Sequence, residues 1–268
     1  MHAVRPRVVL APNPGVMTGP GTNQYLVGDG APLLIDVASY DAENRRRLDA
    51  GLAGAAPKEI LLTHIHPDHV GGASALRDAA GVPLAVHRSR AAFAFGARPL
   101  EPDRLLDDGD EIVHASGRLR AVHTPGHESG HLCYYDPDAR ALFTGDLILG
   151  TGTTVVAPPD GDMAAYLASL RRLQSLDLRV IHPGHGPAIE RPYEKIVEYL
   201  EHRLMREQQI LDALAAGLAS VAEIVPRLYA DVPSVLHGAA ALTVRAHLAK
   251  LVADGAVVEE PGDRFRRT

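Results

Sequence analysis

The chain has 268 residues, 46% of them hydrophobic and 22% charged, enough apolar material for one large domain or a large domain with a small companion. A formal net charge of −6 gives no sign of an electrostatic nucleic-acid binder, and a single cysteine, Cys133, rules out an intrachain disulfide and fits a reducing compartment. Tryptophan is absent and aromatics make up only 4%, so the core must be built from Ala, Val, Leu and Ile.

The N-terminal stretch has no apolar run longer than residues 8–11. That is too short for a signal-peptide core or a membrane span, so a soluble, cytoplasmic protein with no membrane association is expected. Asn23–Val27, 32–36 and 59–63 read as short strands, with a helix over Ala42–Leu52. A second helix is predicted over 70–80. Strands follow over 83–87, 111–115, 119–123, 131–135 and 141–144. Tyr166, Leu167, Leu170 and Leu173 recur at helical spacing and predict a helix over Met163–Leu173, and 178–182 is a further strand. Strands interspersed with helices indicate a layered α/β architecture.

Near Pro192 the pattern changes. Residues 193–215 form a long amphipathic pattern, with Ile196, Val197, Leu200, Leu204, Ile210, Leu211 and Leu214 roughly on one side. A second helix over 221–229 contains Pro226, a residue that kinks or shortens helices. A third runs over 239–253 with Leu242, Leu248, Leu251 and Val252 facing inward, and Gly255 stops it. A strand over 256–259, a turn at Pro261-Gly262-Asp263 and a return strand over Arg264–Arg267 complete the outline of a winged-helix module. The predicted division is a catalytic domain over 1–190 and a winged-helix-like domain over 191–268.

Fourteen histidines stand out in the composition, and several cluster beside Gly, Pro and Asp. An apolar strand, Ile60-Leu61-Leu62, runs into Thr63-His64-Ile65-His66-Pro67-Asp68-His69. At strand spacing His64 and His66 point to one side, while Asp68 and His69 follow the turn at Pro67. Four ligand-type side chains in six residues strain a single ion, and two adjacent ions relieve the strain. In Thr124-Pro125-Gly126-His127 a Pro-Gly turn presents His127 from a strand end. Asp146 closes the apolar run Leu142-Phe143-Thr144-Gly145, where an unpaired carboxylate would be costly and a metal pair would remove the cost. In Val180-Ile181-His182-Pro183-Gly184-His185, His185 is the expected ligand, while His182 lies within the strand. Cys133, between Leu132 and Tyr134, reads as a buried strand residue.

The ordered set His64-x-His66-x-Asp68-His69, His127, Asp146 and His185 resembles that of the metallo-β-lactamase superfamily. The resemblance implies a four-layer αβ/βα sandwich with metals at one edge between two sheets. It also implies that His64, His66 and His127 hold one ion, that Asp68, His69 and His185 hold a second, and that Asp146 bridges them. Asn13-Pro14-Gly15, Gly21-Thr22-Asn23-Gln24-Tyr25-Leu26-Val27, Gly150-Thr151-Gly152-Thr153-Thr154 and Tyr166-Leu167-Ala168-Ser169-Leu170 are similar to stretches of the β-lactamase-like protein 2 family. So is the C-terminal stretch from His202-Arg203 to Ala246-His247-Leu248-Ala249-Lys250-Leu251. This family resemblance spans nearly the whole chain. Asp36-Val37-Ala38 stands where members commonly have Asp-Thr-Gly. Asp36 and His131 are the expected partners that orient the ligands.

The expected cofactor is a pair of zinc ions sharing a bridging water, whose pKa zinc lowers to about 7, so that a hydroxide is available at neutral pH. Ligation by histidine and carboxylate also admits iron or manganese. Asp68 is the expected catalytic residue, accepting a hydrogen bond from the nucleophile and moving its proton. Thr153, Thr154 and Tyr166 are the candidates for the substrate pocket. Small esters or acyl thioesters are the favoured substrates. Lactams are disfavoured, because enzymes of that branch generally lack the bridging aspartate. The alternative is an endoribonuclease acting on single-stranded RNA, although residues 195–268 carry nine Lys/Arg against ten Asp/Glu. A non-catalytic, metal-dependent binding module is a minor alternative. Oligomeric state is not readable from the residues.

Overall fold

The computed structural model describes residues 5–91, 93–95 and 98–268, so Met1–Val4 of the N-terminal stretch read above lie outside it. The chain forms two compact units. The first comprises Met1–Thr124, Gly130–Gly152 and Leu176–Tyr193; the second comprises Pro125–Ser129, Thr153–Ser175 and Glu194–Thr268.

The first unit contains β1 (Arg7–Leu10), β2 (Asn23–Val27), β3 (Leu33–Ile35), α1 (Ala42–Leu52), β4 (Glu59–Leu61), α2 (Pro67–Val70), α3 (Ala73–Ala80), β5 (Leu84–His87), β6 (Phe93–Phe95), β7 (Arg98–Leu100) and β8 (Arg104–Leu106). It continues with β9 (Glu111–His114), β10 (Gly117–His123), β11 (Leu132–Asp136), β12 (Ala141–Gly145) and β13 (Val180–Pro183). One sheet has the order β1-β2-β3-β4-β5-β8, and the other β13-β12-β11-β10-β9. In the first sheet β3, β4, β5 and β8 run parallel. Parallel strands are covered on both faces, which explains why Leu33-Leu34-Ile35 and Ile60-Leu61 read as unbroken apolar runs.

The alternation of a strand sorts these residues into two cores. Tyr25, Val27, Leu33, Ile35 and Leu61 join Leu119, Leu132, Tyr134 and Phe143 of the second sheet. Leu26, Leu34 and Ile60 face the other way, toward Leu48 and Leu52 of α1 and Ala73 and Leu76 of α3. Cys133 is fully buried in β11, as expected.

The predicted helix over 70–80 is two helices, α2 and α3, broken at Gly71-Gly72. A side chain at Gly71 would lie 2.5 Å from the Ala38 carbonyl oxygen, and one at Gly72 would lie 2.3 Å from that of Ser39. The pair lets the 36–39 loop lie directly on the break, where Val37 N donates to His69 O (2.8 Å) and Gly72 N to Val37 O (2.9 Å). Strand β1, strand β8 and the β6–β7 hairpin are additions to the elements expected from the sequence.

The second unit contains α4 (Met163–Leu173), most of α5 (Pro192–Ala215), α6 (Val221–Leu228), α7 (His237–Ala253), β14 (Val257–Glu260) and β15 (Arg264–Arg267). Ser220 and Glu223 form a reciprocal capping box at the start of α6, and Pro226 sits inside that helix near its end. Ile210, Leu214, Val221, Ile224, Val244, Leu248, Leu251, Val257 and Phe265 share one core, which is the three-helix and hairpin arrangement expected. Two details differ. Leu242 points outward and Val244 inward, since 244, 248 and 251 make the helical stripe. In α5 the buried stripe is Ile196, Tyr199, Arg203, Ile210 and Leu214, whereas Val197 and Leu204 are exposed. No helix among the described residues is long and apolar enough to cross a membrane.

Candidate metal centre

β4 ends at Leu61, so His64 and His66 are not paired by strand alternation as the spacing predicts. They sit in an irregular segment tied down from Asp36. Thr63 N donates to Asp36 Oδ1 and Thr63 Oγ1 to Asp36 Oδ2, both at 2.8 Å. With its hydrogen committed to Asp36, Thr63 Oγ1 is the acceptor for His64 Nδ1–H at 3.0 Å. His64 Nε2 lies 3.0 Å from His66 Nδ1, with the two rings nearly perpendicular. His66 stands at the N-cap position of α2 without a side-chain capping bond, and Pro67 takes the first helical position. That one-turn helix then delivers Asp68 and His69.

The same tautomer recurs at His69 and His185, whereas His66 turns its Nδ1 toward His64 Nε2. His69 Nδ1 donates to Asp36 Oδ2 at 2.7 Å, and His185 Nδ1 faces the Gly21 carbonyl oxygen at 3.3 Å. A ring whose Nδ1 donates outward presents the Nε2 lone pair on its other edge. Those edges converge. His69 Nε2 and His185 Nε2 are 3.3 Å apart, and each is 3.3 Å from Asp146 Oδ1. Asp68 Oδ2 completes the group, 3.1 Å from His185 Nε2 and 3.6 Å from His69 Nε2. Among the described residues, ligand atoms of His64, His69 and Asp146 lie within 4.8 Å of one another, as do those of Asp68, His69 and His185. Asp146 therefore reaches toward both histidine sets from the end of β12.

The electrostatics match a cation site. Burial pushes the Asp146 carboxyl up, but the His69 and His185 rings outweigh it and hold it well below the usual carboxylate range. Burial lowers His185, and hydrogen bonds to Asp146 and Asp68 reverse that and push it up to about 9. Asp68 is held low mainly by His185, against burial. Acceptor oxygens and imidazole nitrogens so close together either share protons or share a cation, and histidine-carboxylate ligation suits zinc, iron or manganese.

The loop carrying His185 is fixed by residues that the motif reading left without a role. Asn23 Nδ2 donates to Pro183 O and Gly186 O at 3.0 and 2.8 Å, and Tyr25 OH donates to Pro183 O at 2.6 Å. A buried Asn-Gln-Tyr run in a strand was the available signal, since buried polar groups need partners. His182 stacks on Phe143 at 5.1 Å and meets the Tyr25 ring at a tilt, 5.5 Å away. His131 is fully buried, its ring 5.2 Å from that of His64 and its Nδ1 2.9 Å from Thr124 Oγ1.

His127 belongs to the second unit, on a turn that Gly126 shapes at φ 134°. It is 7% exposed, and its Nδ1 donates to Val155 O at 2.7 Å, the same outward Nδ1 pattern. Of the three pocket candidates, only Thr153 is exposed. Thr154 and Tyr166 are buried, Tyr166 completely, so Tyr166 serves packing rather than a substrate surface.

Residues 17–185 match the family model described as the metallo-beta-lactamase superfamily, and 220–265 match the beta-lactamase associated winged helix domain. The chain belongs to the metallo-beta-lactamase superfamily and is a metal-dependent hydrolase with the mixed α/β fold of that superfamily and a C-terminal winged helix. It is 36% identical to a beta-lactamase-like protein 2 homolog of Caenorhabditis elegans, over 94% of this chain and 85% of the relative. It is 34% identical to a protein of Aspergillus fumigatus named atrochrysone carboxyl ACP thioesterase, over 87% of this chain and 77% of that one. A solved structure of a metallo-beta-lactamase family protein from Thermus thermophilus superposes with a TM-score of 0.84 at 25% identity, covering 98% of each chain.

Proposed function

We propose that the protein hydrolyses small acyl thioesters or esters with two zinc ions. His64, His66 and His127 would hold one ion, Asp68, His69 and His185 would hold the other, and Asp146 would serve both. The observation that carries this reading is the convergence of His69 Nε2, His185 Nε2 and Asp146 Oδ1 at 3.3 Å. When bound, such ions supply Lewis acidity and make water acidic enough to lose a proton near neutral pH.

The side chains divide the remaining work. Asp36 and the Gly21 carbonyl keep His69 and His185 turned inward. Asp68, with 28% of its side chain exposed, is the carboxylate open to solvent and the proton acceptor. The class of substrate is supported by the thioesterase name of the Aspergillus relative. An RNA substrate has less support, because residues 195–268 carry nine basic against ten acidic side chains.

The purified protein assayed on acyl thioesters and on labelled single-stranded RNA, with and without chelator, tests this proposal. The expected result is chelator-sensitive thioester turnover that His66→Ala abolishes. RNA cleavage lost in the same variant, with no thioester turnover, overturns it.

A further inference from the structure

We propose that Arg203 is a positioning residue for the metal centre, holding from α5 the short strip of chain that orients His127. The proposal rests on the reading of His127 as a metal ligand. All the groups involved lie in the second compact unit.

The strip is Thr154-Val155-Val156. The Val155 carbonyl accepts the Nδ1–H of His127. On one side of it, the Thr154 carbonyl accepts a hydrogen bond from Arg203 Nη2. On the other, Val156 N donates to Thr243 Oγ1 of α7 at 3.4 Å. Val155 is thus held between two anchors, one on each of two C-terminal helices. The backbone of His127 is fixed as well. Asp162 N donates to Gly126 O at 2.8 Å, and Ser169 Oγ donates to Pro125 O at 2.7 Å. A side chain at Gly126 would lie 2.3 Å from Tyr166 N and Cα, so the turn lies directly on α4. The Arg203 guanidinium sits 5.2 Å over the ring of that same Tyr166.

Arg203 is 2% exposed. Burying a guanidinium costs several kcal/mol, and a charge-assisted hydrogen bond with a ring stack offsets part of that cost. Its planar fork gives both contacts a fixed direction, which a flexible ammonium does not. The buried cation therefore ties α4, α5 and the Val155 strip into one rigid cradle behind the imidazole. Loss of a group that orients a ligand through its Nδ1 lowers metal affinity by about 10–100-fold. Arg203 acts one residue further out, so the lower end applies.

Zn²⁺ affinity, measured by competition with a chromophoric chelator, and the visible spectrum of the Co²⁺-loaded protein test this in His127→Ala, Arg203→Met, Arg203→Lys and Thr243→Val. Thermal unfolding of each metal-free variant is measured alongside. His127→Ala is expected to lose one of two metal equivalents. Arg203→Met is expected to weaken that same equivalent by about tenfold and to shift the Co²⁺ bands, leaving the other equivalent unchanged. Arg203→Lys, which keeps a donor and loses the stack, should fall between it and the parent. Wild-type affinity and spectrum in the arginine variants and Thr243→Val, with the ion still lost in His127→Ala, overturns the proposal and leaves the ligand reading standing. Two full equivalents in His127→Ala overturns both. If Arg203→Met does not fold, Arg203→Lys and Thr243→Val decide the question by the same two readouts.

Discussion

Asp36 Oδ2 lies 2.7 Å from His69 Nδ1 with both side chains shut away from solvent. Asp36 adopts φ 61°, a left-handed conformation that costs a non-glycine residue about 1–3 kcal/mol. The carboxylate is placed there to accept from Thr63 N, Thr63 Oγ1 and His69 Nδ1 together. Asp36→Ala leaves three buried donors without an acceptor. The expected loss of stability is about 3 kcal/mol or more, read from urea unfolding. Metal content after dialysis should also fall, with affinity about 10–100-fold weaker.

Asp146→Asn keeps the shape of the side chain and removes the charge that His69 and His185 gather around. At least one metal equivalent should be lost, with kcat falling about 100-fold and KM moving little. Chelation should abolish activity in the parent. Restoration by zinc, iron or manganese, compared by kcat/KM at matched occupancy, identifies the working metal.

Burial pushes His182 down to about 4. Burial, helped by the nearby Arg203 and Arg206 charges, does the same to His202. Both are neutral in the folded state across the range where an exposed imidazole gains its proton near 6.5. The unfolded chain then binds more protons, so stability is fully present above about 6.5 and falls as pH drops toward about 4. Denaturant midpoints of the metal-free protein between those values should decline with acid. His182→Phe, at a position already stacked with Phe143, should flatten that decline.

Gly72→Ala places a methyl group 2.3 Å from the Ser39 carbonyl oxygen. The backbone on both sides is hydrogen-bonded, so it cannot simply move away. A destabilisation of about 1–3 kcal/mol is expected, seen as a lowered midpoint in thermal unfolding. Because Val37 is bonded to His69 O, reduced metal content should accompany it.

Much of the candidate site is legible in the sequence because residues able to hold a metal stand out by type and order. Strand ends followed by His or Asp mark His64, His127, Asp146 and His185 as candidates. Strands β2 to β5 of the first sheet are legible in the sequence, whereas β1, with two exposed residues, and β8, with only Leu106 fully buried, give no such signal. What stays hidden is the support around the ligands. Arg203 interrupts the apolar stripe of α5, so helical patterning discards it, and its value lies in a carbonyl 49 residues away. Tyr166 reads as a pocket residue because its motif lies in the shared stretch, but a motif position does not distinguish a ring facing substrate from a ring facing a guanidinium. The split at Gly71-Gly72 depends on the 36–39 loop, and no local propensity encodes that neighbour.

Asn23 and Tyr25 clasp the His185 loop across 160 residues of chain. Closing so long a loop is among the slower and entropically dearer events in folding. The seat of His185 therefore depends on the chain's second strand meeting its distant thirteenth strand. On the proposed ligand set, an ion held by His185 would be enclosed only once that pairing is complete. A chain with β2 unpaired would carry the His64–His69 segment and yet lack the contacts that seat His185.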